Sequence, residues 1–124
     1  WIELDGTHDL GPGPAMSNEQ AQERYAYSRC MTCGCCLEAC PQYHEDNYIG
    51  PQAIAQVRYQ NMHPSGKMTR DARLEALMQD DGITNCGNAQ NCVQVCPMSI
   101  PLTRAIYETN REVTIHGLFG WLRK

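Results

Sequence analysis

Eight cysteines stand among the 124 residues, and seven of them fit two spaced runs. The first run is Cys30-Met31-Thr32-Cys33-Gly34-Cys35-Cys36-Leu37-Glu38-Ala39-Cys40-Pro41. With Cys35 set aside it reads C-x2-C-x2-C-x3-C-P, a spacing that aims soft thiolates at the irons of an iron–sulfur cluster. The second run, Cys86 to Pro97, repeats the first at a displacement of 56 positions. Cys86 answers Cys30, Cys92 answers Cys36, Cys96 answers Cys40 and Pro97 answers Pro41. One position is broken. Ala89 stands where Cys33 stands, and it has no donor atom.

Clustered thiols have three uses: a cluster, a zinc site or a disulfide framework. Disulfides within C-x2-C-x2-C would close small, strained loops. Two zinc sites of four thiolates each would need an eighth cysteine, and seven fit the spacing. A cluster wants thiolates converging from one side of a tight loop. Gly34 permits close backbone approach to inorganic sulfide, and the proline after the last cysteine turns the chain away. Loop N–H groups can donate to the sulfurs and tune the potential.

In two-cluster ferredoxins the fourth cysteine of each run serves the other cluster. That rule gives Cys30, Cys33, Cys36 and Cys96 to a [4Fe-4S] cluster. It leaves Cys40, Cys86 and Cys92 for the second site, where Ala89 removes the fourth thiol. Three thiolates suit a [3Fe-4S] cluster, with a [4Fe-4S] cluster carrying water on one iron as the variant. Cys35 reads as a small buried residue packed behind the loop, or as a rescuer of the three-iron site.

The elements that position these runs are helical. Gly6 and Gly11-Pro12-Gly13-Pro14 make residues 1–16 an irregular connector, and 17–124 form the domain. Ser17 caps a helix to about Ser28, with Gln20 in the capping-box position and Ala21, Tyr25 and Ser28 inward. Pro51 starts a helix to about Asn61 with Ala53, Ile54 and Val57 buried. After the turn at His63-Pro64-Ser65-Gly66, Thr69 caps a helix from Arg70 to about Gln79, burying Leu74, Leu77 and Met78. Asp80-Asp81-Gly82 stops it. A last helix from near Pro101 to about His116 buries Leu102, Ala105, Ile106, Thr109 and Val113. No strand is expected. The fold class is all-α, a helical ferredoxin-like domain with two Cys-rich loops in pseudo-repeat.

The net charge of −4, without a basic block, gives no footprint for nucleic acid. No apolar segment reaches the roughly 20 residues that span a bilayer. The start, Trp1-Ile2-Glu3-Leu4-Asp5, has no signal-peptide pattern. The tail Leu118-Phe119-Gly120-Trp121-Leu122-Arg123-Lys124 suits either a membrane interface or anchor contact, or a packed end. His8, His63 and His116 have no partner ligands at useful spacing and read as surface or loop residues.

The paired runs and their flanks resemble the C-terminal domain of the iron–sulfur subunit of succinate dehydrogenase and fumarate reductase. The flanks are Ser28-Arg29-Cys30-Met31, Ile49-Gly50-Pro51, Arg73-Leu74-Glu75-Ala76-Leu77, Asn91-Cys92-Val93-Gln94-Val95-Cys96-Pro97 and Ile100-Pro101-Leu102-Thr103. The resemblance implies electron relay between a flavoprotein and a membrane quinone, with the same crossed ligation. It also implies a membrane-anchor cytochrome b subunit, and a peripheral place on the cytoplasmic face of the bacterial inner membrane. The family's N-terminal [2Fe-2S] domain carries a C-x4-C-x2-C motif that this chain lacks, so the chain is expected to be a C-terminal portion.

Ubiquinone-reducing members carry a Trp shortly after the first Cys-Pro and a His after the first Cys of the second run. Here those regions read Gln42-Tyr43-His44-Glu45 and Cys86-Gly87. The resemblance therefore points to variants with menaquinone and a dihaem anchor. Pro41, Tyr43 and His44 are candidates for the quinone's vicinity because they adjoin Cys40, although His44 also reads as a solvated loop residue. Heterodisulfide-reductase and glycolate-oxidase subunits repeat the complete four-cysteine motif, and Ala89 counts against them. A zinc-stabilised interaction module is the alternative from another class.

Overall fold

The computed structural model describes residues 14–44 and 47–123. Most of the expected connector, with His8, lies outside the described residues, as do Glu45, Asp46 and Lys124. Among the described residues there is no strand. The helices are α1 (Asn18–Ser28), α2 (Cys35–Glu38), α3 (Pro51–Asn61), α4 (Arg70–Leu77), α5 (Asn91–Val95) and α6 (Leu102–Phe119). Tighter 3-10 turns at Gly66–Thr69, Ile83–Asn85 and Gly120–Arg123 complete the chain.

Helices α3 and α6 form the central pair; α1 packs on α3, α4 on both, and α2 lies against α5. Ser17 caps α1 as expected, its Oγ accepting from the Gln20 N–H at 3.2 Å. The buried residue of α1 is Tyr27, whereas Tyr25 is 63% exposed and Ser28 is exposed. Of the two tyrosines it is Tyr27 that joins the core beside Ala55 of α3; Tyr25 lies two positions away, on another side of the helix.

Pro51 opens α3 because its fixed φ suits the first helical position. Gly50 before it has φ +92°, and a Cβ there would lie 2.3 Å from Leu37 Cδ2. Any other residue would need the Leu37 side chain to move and would strain the left-handed backbone. Within α3 the buried apolar side chains are Pro51, Ile54 and Ala55, with Ala53 and Val57 half-buried.

Thr69 does not cap α4. Its Oγ1 accepts instead from Arg73 Nη1 at 2.8 Å. Arg73 is 1% exposed and also donates to Asn61 Oδ1 at 2.7 Å and to the Gly66 carbonyl. A buried guanidinium must be satisfied by such acceptors, and it takes the threonine hydroxyl that would have capped the helix. Helix α4 stops at Leu77, leaving Met78 46% exposed. Helix α6 extends past His116 to Phe119 and buries Leu102, Ala105, Thr109 and Val113, with Ile106 half-buried.

Two apolar clusters lie side by side. One joins Tyr27, Cys36, Ala55, Cys92, Ile100, Leu102 and Ala105. The other joins Tyr48, Ile54, Leu74, Leu77, Ile83 and Val113, with Cys40 and Cys86 packed against it. The tail is not a packed end: Leu118, Phe119, Trp121 and Leu122 are 52–73% exposed. His116 is not a bare surface residue either, lying 3.5 Å from Asp71 and 3.8 Å from Glu75.

Candidate metal centres

The repeat extends from the cysteines to the backbone. Cys30 N–H donates to the Tyr27 carbonyl at 3.3 Å, and Cys86 N–H donates to the Ile83 carbonyl at 3.2 Å, 56 positions on. Leu37 N–H to Gly34 O is matched by Val93 N–H to Gln90 O, and Tyr43 N–H to Cys40 O by Ser99 N–H to Cys96 O. Positive φ recurs at the same places: Thr32 (54°) with Asn88 (54°), and Gly34 (79°) with Gln90 (62°). A left-handed residue reverses the chain and lets a short helix start at the next position, α2 at Cys35 and α5 at Asn91. The second residue of each helix, Cys36 or Cys92, is buried.

The two loops face each other, and Asn91 Nδ2 donates to the Ala39 carbonyl at 3.0 Å across them. One cavity is lined by Cys30, Cys33, Cys36 and Cys96, with Gly34, Met98, Ile100 and Leu102 among the other walls. A second is lined by Cys40, Cys86 and Cys92, with Ala89, Pro41, Tyr48 and Ile106 around them. Each cavity thus draws a cysteine from the opposite run. All eight thiols are free.

Burial pushes the Cys36 thiol up to about 11, and raises Cys92 as well. Deprotonating them needs a cation to replace the lost hydration, so metal binding there releases protons. Cys33 is exposed, and its thiol is lowered by the Cys35 backbone N–H and then by the Cys35 side chain. Ile100 N–H donates to Cys96 Sγ at 3.5 Å. Tyr48 is raised by burial and then by the Cys86 thiol.

The donor set fits iron–sulfur clusters. Thiolate sulfur is their ligand, and the thiols ring a space walled mainly by apolar side chains at the four-thiol site and by apolar side chains with Gln42, Asn88, Gln90 and Asn91 at the three-thiol site. Among the described residues no three Cys, His, Asp or Glu side chains converge as ligands of a single ion would. At Gly34 a Cβ would meet nothing within 4 Å, so the backbone borders open space at the cavity.

A family model, the 4Fe-4S dicluster domain, matches residues 26–100. The chain belongs to the 4Fe-4S dicluster domain family. It binds 4Fe-4S, as that membership entails. The chain is 52% identical over 118 residues to the succinate dehydrogenase iron-sulfur subunit of Bacillus subtilis (strain 168), covering 94% of this chain and 47% of the relative. It is 29% identical over 115 residues to the fumarate reductase iron-sulfur subunit of Wolinella succinogenes, covering 91% and 48%. The fumarate reductase iron-sulfur subunit of Escherichia coli O6:H1 is 33% identical over 107 residues, covering 84% and 43%. The chain spans about half the length of these curated relatives.

The remaining candidates divide. Pro41 is exposed and lines the second cavity; Tyr43 is half-buried against Gly50; His44 is exposed and lines neither thiol cavity. Cys35 is exposed rather than buried behind the loop, and lines neither cavity. As the first residue of α2 it points outward, where its counterpart Asn91 makes a hydrogen bond. Two cavity residues escaped sequence reasoning. Gln52 borders the four-thiol cavity and Tyr48 the three-thiol one. Tyr48 stands two residues before Gly50-Pro51, and an aromatic that close to a helix start was the available signal.

Proposed function

We propose that this chain is the two-cluster portion of the iron–sulfur subunit of a succinate:quinone oxidoreductase. The observation that carries the reading is the division of seven thiols, four around one cavity and three plus Ala89 around the other. Cys30, Cys33, Cys36 and Cys96 hold a [4Fe-4S] cluster; Cys40, Cys86 and Cys92 hold a [3Fe-4S] cluster. When bound, these groups would supply one-electron carriers. The chain's own work is positional. Crossed Cys40 and Cys96 tie the sites together, apolar walls exclude water, and buried Cys36 and Cys92 fix the rear of each loop.

The relatives are named as iron-sulfur subunits of succinate dehydrogenase and fumarate reductase, and in our reading the chain works beside a flavoprotein subunit interconverting succinate and fumarate, an N-terminal [2Fe-2S] domain and a membrane-anchor cytochrome b. No helix of the described residues is long and apolar enough to cross a membrane. Attachment to the cytoplasmic face of the bacterial inner membrane is therefore through the anchor. The three-iron site faces the quinone, a menaquinone, with Pro41, Tyr43 and His44 on that side.

Anaerobic addition of succinate to the oxidised complex tests this. Reduction of the three-thiol cluster, followed by electron paramagnetic resonance and reversed by a menaquinone analogue, is expected. A three-thiol cluster that stays oxidised with succinate while dithionite reduces it would contradict the assignment.

A further inference from the structure

Tyr48 is 2% exposed, and its hydroxyl is a buried polar atom without a hydrogen-bond partner. Leaving such a group unsatisfied costs about 1–3 kcal/mol. The ring packs with Ile54, Leu74, Leu77, Ile83 and Val113, an environment that phenylalanine would suit better. Tyr48 nevertheless lines the three-thiol cavity beside Cys40, Cys86 and Cys92. Cys86 is the thiol it interacts with, although the two do not meet in ordinary hydrogen-bond geometry.

The surrounding chain holds this ring still. Ile49 N–H donates to the Asp81 carbonyl at 2.7 Å. On the other side, Asn85 Nδ2 donates to the Asn47 carbonyl and, at 2.7 Å, to the Asp80 carbonyl. Residues 47–49 are thus fastened to the segment that leads into Cys86. Among the described residues none with a side-chain hydroxyl lines the four-thiol cavity; there a backbone donor, Ile100 N–H, reaches Cys96 Sγ.

We propose that Tyr48 is a positioning and tuning residue whose hydroxyl donates a hydrogen bond to the sulfur shell of the three-thiol site, at Cys86 Sγ or an adjoining sulfide. This rests on the reading of that cavity as a cluster site. A donor at sulfur withdraws electron density and favours the reduced, more negative state, so Tyr48 raises the reduction potential there. The site nearer the acceptor becomes the better electron sink, without any change in its ligands.

The test is a redox titration of the assembled complex, wild type against Tyr48→Phe, following each cluster by its own electron paramagnetic resonance signal. The variant keeps the ring that fills the core and loses only the hydroxyl. The midpoint of the three-thiol cluster is expected to fall, while that of the four-thiol cluster stays. Electron–nuclear double resonance on the wild type alone should show a proton coupling at the three-thiol cluster that disappears in deuterium oxide and is absent from the variant. An unchanged midpoint together with no Tyr48-dependent exchangeable coupling would overturn the proposal. If the second cavity proves to hold a four-iron cluster, its reduced-state signal replaces the oxidised one and the same comparison still decides the role of Tyr48. Failure of the three-iron reading and failure of the tyrosine proposal are therefore separate outcomes.

Discussion

The loop at Cys30–Pro41 and the loop at Cys86–Pro97 share a backbone and differ in their donors. Both begin with an N–H bonded three residues back, pass through two left-handed residues, start a short helix and bury the cysteine at its second position. Position 33 carries a thiol and position 89 a methyl group, yet the turns around them are alike. The loop geometry is therefore written in main-chain hydrogen bonds and left-handed residues, and the ligand count is laid over it. On the proposed assignment, cluster type changes at one side chain while the scaffold stays.

Removing a buried thiol should break the comparison most. Cys36→Ser should cost the chain about four irons and Cys92→Ser about three, with matching losses of acid-labile sulfide and a lower thermal midpoint in each. Equal losses from the two variants would show that the cavities do not load separately. Ala89→Cys should then make the loops equivalent. Ala89 is exposed and its loop already has the backbone of Cys33, so the protein should fold normally and gain about one iron per chain.

The scaffold itself can be tested at the left-handed residue before each short helix. Gly34→Ala introduces no contact but forces a Cβ into φ +79°, and should cost about 1–2 kcal/mol in denaturant unfolding. Gln90→Gly relieves the same strain in the second loop, offset by the entropy of a glycine, and should stabilise by less than about 1 kcal/mol. A loss on Gln90→Gly would mean that its side chain supports the loop. Cys35→Ser should do least. It is expected to leave both clusters and to shift stability within about 0.5 kcal/mol, since Cys35 is exposed and lines neither cavity. Loss of either cluster signal would reinstate Cys35 as a ligand.

Much of this was legible in the residues. Gly50-Pro51 announced α3, Ser17 announced α1, and the apolar spacing along α6 identified its core face. The displacement of 56 positions grouped the thiols, because a pseudo-repeat brings its two copies together. What was not legible depended on tertiary contact or on very short elements. Helices of four and five residues, α2 and α5, leave no periodicity to read. Tyr27 was passed over for Tyr25 because only the approach of α3 decides which tyrosine is covered. Thr69 had the right type for a cap, but Arg73 was buried beside it and needed the same oxygen. Cysteine is among the most buried residue types, which suggests a packed Cys35, while the turn at Gly34 leaves the first residue of α2 exposed.

The central claim is that the same loop holds four irons where it has a thiol at position 33 and three where it has Ala89. Electron paramagnetic resonance on the anaerobically purified, oxidised complex measures this most directly. A narrow, nearly isotropic three-iron signal is expected in the wild type and should vanish in Ala89→Cys, which leaves both sites with four thiols. A wild type that is silent when oxidised and contains two stable four-iron clusters would contradict it.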